Sequence, residues 1–254
     1  MHNVRRARVV YGCLKFSDRA PKPGRASDPL RESVTQLSTD GQPSSVDSGA
    51  TTLSEPEPKQ QVRIFCAVEL PEDVRARIDA HVARLREATP GTLKISWERA
   101  EKLHLTLKFL GEIDAERVEA LTRAAGRAAG AAGKFEVSLQ ETGAFPARGN
   151  PRVLWLGLRD DTNRLAQLQA QLEAECEREN FPREARPFRP HITIARIRVA
   201  NAAARHVARL HGETEFAPAT FNLGEFVVMQ SRLGAGGSRY TPLSRHELKT
   251  GAHD

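Results

Sequence analysis

His104-Leu105-Thr106-Leu107 returns later in the same chain as His191-Ile192-Thr193-Ile194, and the fold is read outward from that repetition. On a β-strand successive side chains alternate faces, so His104 and Thr106 project together while Leu105 and Leu107 point the other way. His191 and Thr193 divide from Ile192 and Ile194 in the same manner. A chain of 254 residues with 8 His and 15 Thr holds about half of one His-x-Thr by chance, so a single copy means little. Two copies with matching aliphatics need a common cause: two strands, each presenting an imidazole and a hydroxyl to one site.

The surroundings of the two copies repeat as well. Val62-Arg63-Ile64-Phe65-Cys66-Ala67-Val68 reads as a buried strand stopped at Pro71. Val74, Ile78, Val82 and Leu85 then form one stripe of a helix that ends before Pro90-Gly91, with Glu72 and Asp73 in its first turn. Residues 94–97 and 103–110 read as strands, the second ended by Gly111, and Asp114 is placed to cap a helix whose inner side is Val118, Leu121 and Ala125. Strands are predicted over 135–139 and 153–158, on either side of the turn Gly149-Asn150-Pro151. A helix over 163–179 follows, with Leu165, Leu168, Leu172 and Cys176 aligned. After the second copy, Asn201 opens a helix to about Leu210, 221–229 forms a strand, and Gly234-Ala235-Gly236-Gly237 turns the chain into a last strand over 240–243. Strand, helix and strand thus occur twice, each time closing on a His-x-Thr strand. The prediction is an α+β fold of two pseudo-twofold lobes, with the two motif strands side by side across a central cleft.

The folded domain is expected over 62–250. Residues 1–61 carry clusters such as Gly41-Gln42-Pro43-Ser44-Ser45 and no aromatic between Phe16 and Phe65, too little apolar surface to offset the entropy of ordering. They read as a disordered N-terminal extension or an over-extended start. A net charge of +6 suits an anionic substrate, but the basic residues are interspersed with acids, as on solvated helix faces, and no long nucleic-acid footprint is demanded. Cys13, Cys66 and Cys176 are unevenly spaced, which supports neither a disulfide framework nor a zinc ribbon and suits a reducing cytoplasm. No apolar span is long enough to cross a bilayer, so no membrane partner is expected, and a monomer is the working expectation.

Two imidazoles and two hydroxyls with no Asp, Glu or Cys at ligand spacing argue against a metal site, so the chemistry is expected to need no metal or other cofactor. In-line hydrolysis of a phosphodiester needs one group to take a proton from water and another, on the opposite side, to give one to the leaving oxygen. Histidine, with an ordinary pKa near 6.5, can do either. Threonine hydroxyls can donate to the non-bridging oxygens, and an arginine would reinforce them. Arg196 is the candidate, but its odd offset from His191 puts it on the wrong face unless the strand bends, bulges or ends before it. Phe109, at the equivalent place in the first copy, is read as core. So are Trp97 and Trp155, and Phe65 is placed in the core ahead of a role in base stacking. His81, His206, His211 and His246 are assigned to the surface.

Together these stretches resemble the two-histidine phosphoesterase superfamily, and within it the LigT-like RNA 2′,3′-cyclic phosphodiesterases. Beyond the paired motifs the resemblance is carried by Arg63-Ile64-Phe65-Cys66-Ala67, Lys108-Phe109-Leu110-Gly111, Gly143-Ala144-Phe145-Pro146, Arg152-Val153-Leu154-Trp155, Arg186-Pro187-Phe188-Arg189-Pro190 and Ser231-Arg232-Leu233-Gly234. It implies a LigT-like fold, each lobe an antiparallel sheet with helices outside. It also implies hydrolysis of RNA 2′,3′-cyclic phosphate ends, or small cyclic nucleotides, to 2′-phosphomonoesters. Carried onto this chain, it makes His104 the proton donor and His191 the acceptor, with Thr106, Thr193 and Arg196 holding the phosphate. The alternatives are RNA end-joining or cleavage of other 2′-linked nucleotides at the same site, and a nucleotide- or RNA-binding module without turnover.

Overall fold

A computed structural model of the protein describes residues 60–234 and 237–250; the expected disordered extension lies, but for its last two residues, outside the described residues. In chain order the elements are β1 (Gln61–Glu69), α1 (Glu72–Glu87), β2 (Ile95–Trp97), β3 (His104–Asp114), α2 (Val118–Ala131), β4 (Phe135–Phe145), β5 (Val153–Arg159), α3 (Arg164–Arg178), β6 (His191–Ile197), α4 (Ala202–Glu213), β7 (Ala219–Leu223), β8 (Glu225–Gly234) and β9 (Gly237–Glu247). The strands form one sheet in the order β7-β4-β5-β6-β3-β1-β8-β9, with β2 added on β6. The two motif strands, β3 and β6, are innermost, and each heads a half of four antiparallel strands. The halves meet through the pair Leu105↔Ile192.

Chain connectivity locks the halves together. Helix α1 follows β1 but packs, with α4, on the half holding β4 and β7; α3 follows β5 but packs, with α2, on the half holding β3, β8 and β9. The stripes predicted for α1 and α3 are the faces they bury: Val74, Ile78, Val82 and Leu85 on one, Leu165, Leu168, Leu172 and Cys176 on the other, all at most 2% exposed. Each large aliphatic removed from water in this way contributes about 1.5–3 kcal/mol. Among the described residues no helix is long and apolar enough to cross a membrane.

Several boundaries differ from expectation. The strand predicted over 221–229 is two strands broken at Gly224, and they belong to opposite halves: β7 pairs with β4, whereas β8 pairs with β1 and β9. Apolar residues stand close on both sides of the break, Phe221 and Leu223 before it and Phe226 to Met229 after it, so the apolar run alone does not reveal the change of partner. Gly111 does not end β3. At φ +74° it lets the strand bulge where Ile64 and Phe65 face Gly111 and Phe109, and pairing resumes to Asp114. Asp114 is not a helix cap; its carboxylate accepts from Gln61 Nε2, and a 3₁₀ turn, Ala115–Arg117, leads into α2. Asn201 does cap α4, its Oδ1 accepting from Ala204 N at 3.0 Å.

His81 and His211, assigned to the surface, are fully buried. The Trp155 carbonyl accepts from His211 Nε2–H at 2.9 Å, which leaves His211 Nδ1 to accept from His81 Nε2–H at 3.0 Å. Burial of the His81 ring holds its pKa down to about 4. The signal was available: His81 lies on the α1 stripe, three residues past Ile78, and His211 lies four past Val207 on α4. His206 is exposed and His246 half-buried.

Candidate functional site

Both motif strands carry the same irregularity at the same place. In β3, Cys66 and Ala67 face Lys108 and Thr106, so Leu107 is an extra residue; in β6, Leu154 and Trp155 face Ala195 and Thr193, so Ile194 is extra. In each copy the bulged residue is the fourth of the tetrapeptide, and it resets the alternation of everything after it. Leu107 and Lys108 are both buried and Phe109 turns out to the cleft face; Ile194 and Ala195 are both buried and Arg196 turns out likewise. The bulge resolves the odd offset of Arg196, and it corrects the assignment of Phe109 to the core, since Phe109 is 44% exposed. One backbone feature decides both side chains.

Because β3 and β6 are antiparallel through Leu105↔Ile192, their register sets His104 across from Thr193 and His191 across from Thr106. Side chains directly across such a pair have Cβ atoms about 4.5–5.5 Å apart, and diagonal neighbours about 7–8 Å. The two imidazoles therefore occupy diagonal corners of a four-residue patch and the two threonines the other corners.

The rings are held alike. His104 Nδ1 donates to the Lys102 carbonyl at 2.7 Å and His191 Nδ1 to the Arg189 carbonyl at 2.6 Å. In each case the acceptor lies two residues before the histidine. A carbonyl can only accept, so Nδ1 carries the proton in both rings and Nε2 is left for proton transfer.

Their surroundings differ. His104 sits beside Phe65, ring centroids 5.0 Å apart, and edge-on to Tyr240 at 5.3 Å. Phe65 is buried as expected, in a small apolar cluster with Ala67, Val227 and Met229 that floors this side of the cleft. His191 stands edge-on to Phe145 at 5.1 Å, with Trp155 at 6.3 Å. Trp97 and Trp155, assigned to the core, are only half-buried; Trp97 packs against the core from the cleft side and Trp155 lies against Phe145 beside His191. The Trp155 indole lies over Gly143, where an added Cβ would come within 2.2 Å of the ring, so the glycine of Gly143-Ala144-Phe145-Pro146 makes room for it.

A cavity of about 600 Å³ is lined by His104, Thr106 and Arg196 together with Glu98, Trp97 and Tyr240. His191 and Thr193 stand on the adjoining strand, outside its lining. Glu98 is a site residue that sequence reasoning missed. Its place became visible only once β2 was paired to β6, Ser96 facing Arg196, which brings Glu98 Oε1 to 3.4 Å from Arg196 Nε.

Burial pulls His104 below its ordinary pKa; the Lys102 carbonyl and the Glu98 carboxylate oppose this, and the positive charges of Arg196 and His191 add to it. Burial also pulls His191 down, opposed by the Arg189 carbonyl and assisted by Arg196, with no carboxylate on its side. The protein alone thus holds both rings toward neutrality, but a negative charge favours the proton on His104. Among the described residues no group of three or more His, Cys, Asp or Glu is placed to hold a metal.

Residues 70–235 match the family model described as the 2′-5′ RNA ligase superfamily. The chain is 33% identical over 200 residues to the RNA 2′,3′-cyclic phosphodiesterase of Escherichia coli K12, covering 77% of this chain and 99% of that protein. It is 28% identical over 190 residues to the protein of the same name from Thermotoga maritima, covering 75% and 97%. Among solved structures it resembles E. coli LigT complexed with 3′-AMP, at 31% identity and a TM-score of 0.59 over 75% of this chain and all of that one. It also resembles TT0787 of Thermus thermophilus, at 29% identity and the same TM-score, over 74% and 98%.

Proposed function

Since the chain belongs to the 2′-5′ RNA ligase superfamily, we propose that its 62–250 domain hydrolyses RNA 2′,3′-cyclic phosphate ends to 2′-phosphomonoesters, with His104 as acid and His191 as base and without a metal. The observation that carries the reading is the pair of identically tethered imidazoles, each with Nδ1–H on a backbone carbonyl and Nε2 free, on adjacent strands. Water attacks phosphorus and gives its proton to His191 Nε2. The P–O3′ bond breaks on the opposite side, and His104 Nε2 protonates O3′. Thr106 and Thr193 donate hydroxyl hydrogen bonds to the non-bridging oxygens and Arg196 adds its charge, stabilising the negative charge that gathers there.

Neutrality at the base and charge at the acid are the states the reaction needs. The Glu98 carboxylate supplies the asymmetry, opposing the loss of the proton at His104 while His191 has no such neighbour. The anionic substrate adds to the same effect. We place the enzyme, as a monomer, in the cytoplasm; the free thiols of Cys66 and Cys176, both buried, suit a reducing compartment.

An oligoribonucleotide ending in a 2′,3′-cyclic phosphate, incubated with excess chelator, tests the reading. The expected product is the 2′-phosphomonoester, formed at the same rate with and without chelator. A 3′-phosphate product, loss of turnover in chelator, or ligation to an added 5′-hydroxyl acceptor in place of hydrolysis would each contradict it.

A further inference from the structure

Two buried histidines take no part in the chemistry above. His81 on α1 and His211 on α4 have no exposed surface, and the hydrogen bonds they form run in one direction. At the inner end the Trp155 carbonyl accepts from His211 Nε2 at 2.9 Å, and His211 Nδ1 faces His81 Nε2 at 3.0 Å. At the outer end Arg84 Nη2 lies 3.5 Å from His81 Nδ1 and donates to the Glu215 carbonyl at 3.1 Å, while the Phe216 ring stands edge-on to His81 at 5.4 Å. A guanidinium can only donate and a carbonyl can only accept, so both rings carry the proton on Nε2. That is the opposite tautomer to His104 and His191.

The inner end of this chain is the second bulge. Register steps between Leu154 and Trp155, across from the extra residue Ile194, and a step in a ladder leaves backbone groups in need of partners from elsewhere. His211 supplies one from a helix. The first bulge has a tie of the same kind, since Lys108, next to its extra residue, is held at 2.6 Å by Glu173 of α3. Apolar packing alone does not choose the register of β6: Ile192, Ile194, Ala195 and Ile197 are all buried, and a slip exchanges one of them for another. A slip of one residue also reverses every side chain it passes. Arg196 is the second residue past Ile194, with its Nε 3.4 Å from Glu98 Oε1, and Trp155 itself faces Thr193 and stands 6.3 Å from the His191 ring.

We propose that His211, aligned by His81, is a positioning residue: by holding the Trp155 carbonyl it pins the second bulge and keeps Arg196 turned to the cleft, toward the phosphate. The proposal rests on the hydrolytic reading above. Neither histidine touches the substrate; the effect passes through the backbone of β5 to that of β6. An apolar ring at position 211 would fill the same space and leave the carbonyl without its donor.

Ring ¹⁵N shifts of the wild type read the tautomers directly. His211 is expected as Nε2–H, against Nδ1–H in His104 and His191, and Nδ1–H at His211 would overturn the proposal. Next, kcat/KM for a mononucleoside 2′,3′-cyclic phosphate is compared in His211→Phe, His211→Gln and Arg196→Ala, at a temperature where circular dichroism shows each variant folded. His211→Phe keeps a ring without a donor and is expected to lose about tenfold, within the range that a distant misplacement of site groups reaches. His211→Gln keeps an amide donor and recovers most of that loss. In an Arg196→Ala background His211→Phe costs less than about a further twofold, because the group it positions is already gone. A full further loss in that background, equal losses in the Phe and Gln variants, or Arg196→Ala near full rate would each overturn the proposal. Absence of wild-type turnover would instead strike at the hydrolytic reading, with the His211 tautomer still there to decide whether the carbonyl is held.

Discussion

His104→Ala and His191→Ala each lower kcat for a 2′,3′-cyclic phosphate by about 10²-fold or more, the scale on which a positioned acid or base contributes. The double variant falls little further, because a base without its opposing acid leaves the leaving oxygen to depart as an alkoxide. The wild-type dependence of kcat/KM on pH is a bell. Its alkaline limb follows loss of the proton from the acid, and its acid limb follows protonation of the base. Because burial holds His191 below the ordinary histidine value, the acid limb lies below pH 6.5. In His191→Ala that limb disappears from the residual activity while the alkaline limb remains. Two interacting rings titrate as a pair, so the limbs describe the pair until the variants separate them. A monotonic wild-type profile, or either variant near full rate, would contradict the opposed roles.

Lys108→Met lowers folding stability by about 3–5 kcal/mol, the cost of leaving one member of a buried ion pair without its partner. Lys108 is 4% exposed and Glu173 5%, and Nζ lies 2.6 Å from Glu173 Oε2 and 2.8 Å from the Pro182 carbonyl. Without the ammonium, Glu173 keeps only Gln169 Nε2 and Glu184 N as donors. These do not balance a buried charge. Adding Glu173→Leu restores most of the loss, since an apolar pair of similar volume needs no compensation. Lys108 is the residue after the Leu107 bulge, so the pair also fastens β3 to α3 at the point where the strand changes phase. Urea denaturation of the two variants reads both effects; a loss below about 1 kcal/mol in Lys108→Met would show that the pair does not hold the bulge in place.

The same bulges explain where the sequence was legible and where it was not. Period-two alternation assigns His104, Thr106, His191 and Thr193 to one face because all four precede the extra residue. Beyond Leu107 and Ile194 the period still runs in the sequence but no longer in space, so Phe109 was placed in the core and Arg196 on the wrong side. The helices α1 and α3 were legible because their stripes are wide and aliphatic. A histidine on such a stripe was discounted by residue type, although His81 and His211 are hydrogen-bonded to each other inside the core. Glu98 and Tyr240 come to the site through the pairing of β2 with β6 and of β8 with β9, contacts between residues far apart in the chain that no local pattern announces.

Convergence of the two motifs on one anion is tested most directly by following the ring signals of ¹⁵N-labelled histidines while adenosine 2′-phosphate is added. The signals of His104 and His191 are expected to move together with a single Kd, those of the exposed His206 to stay in place, and Thr106→Val to weaken the response of both rings equally. Movement of only one of the two rings, or two different dissociation constants, would mean that the motifs serve separate sites.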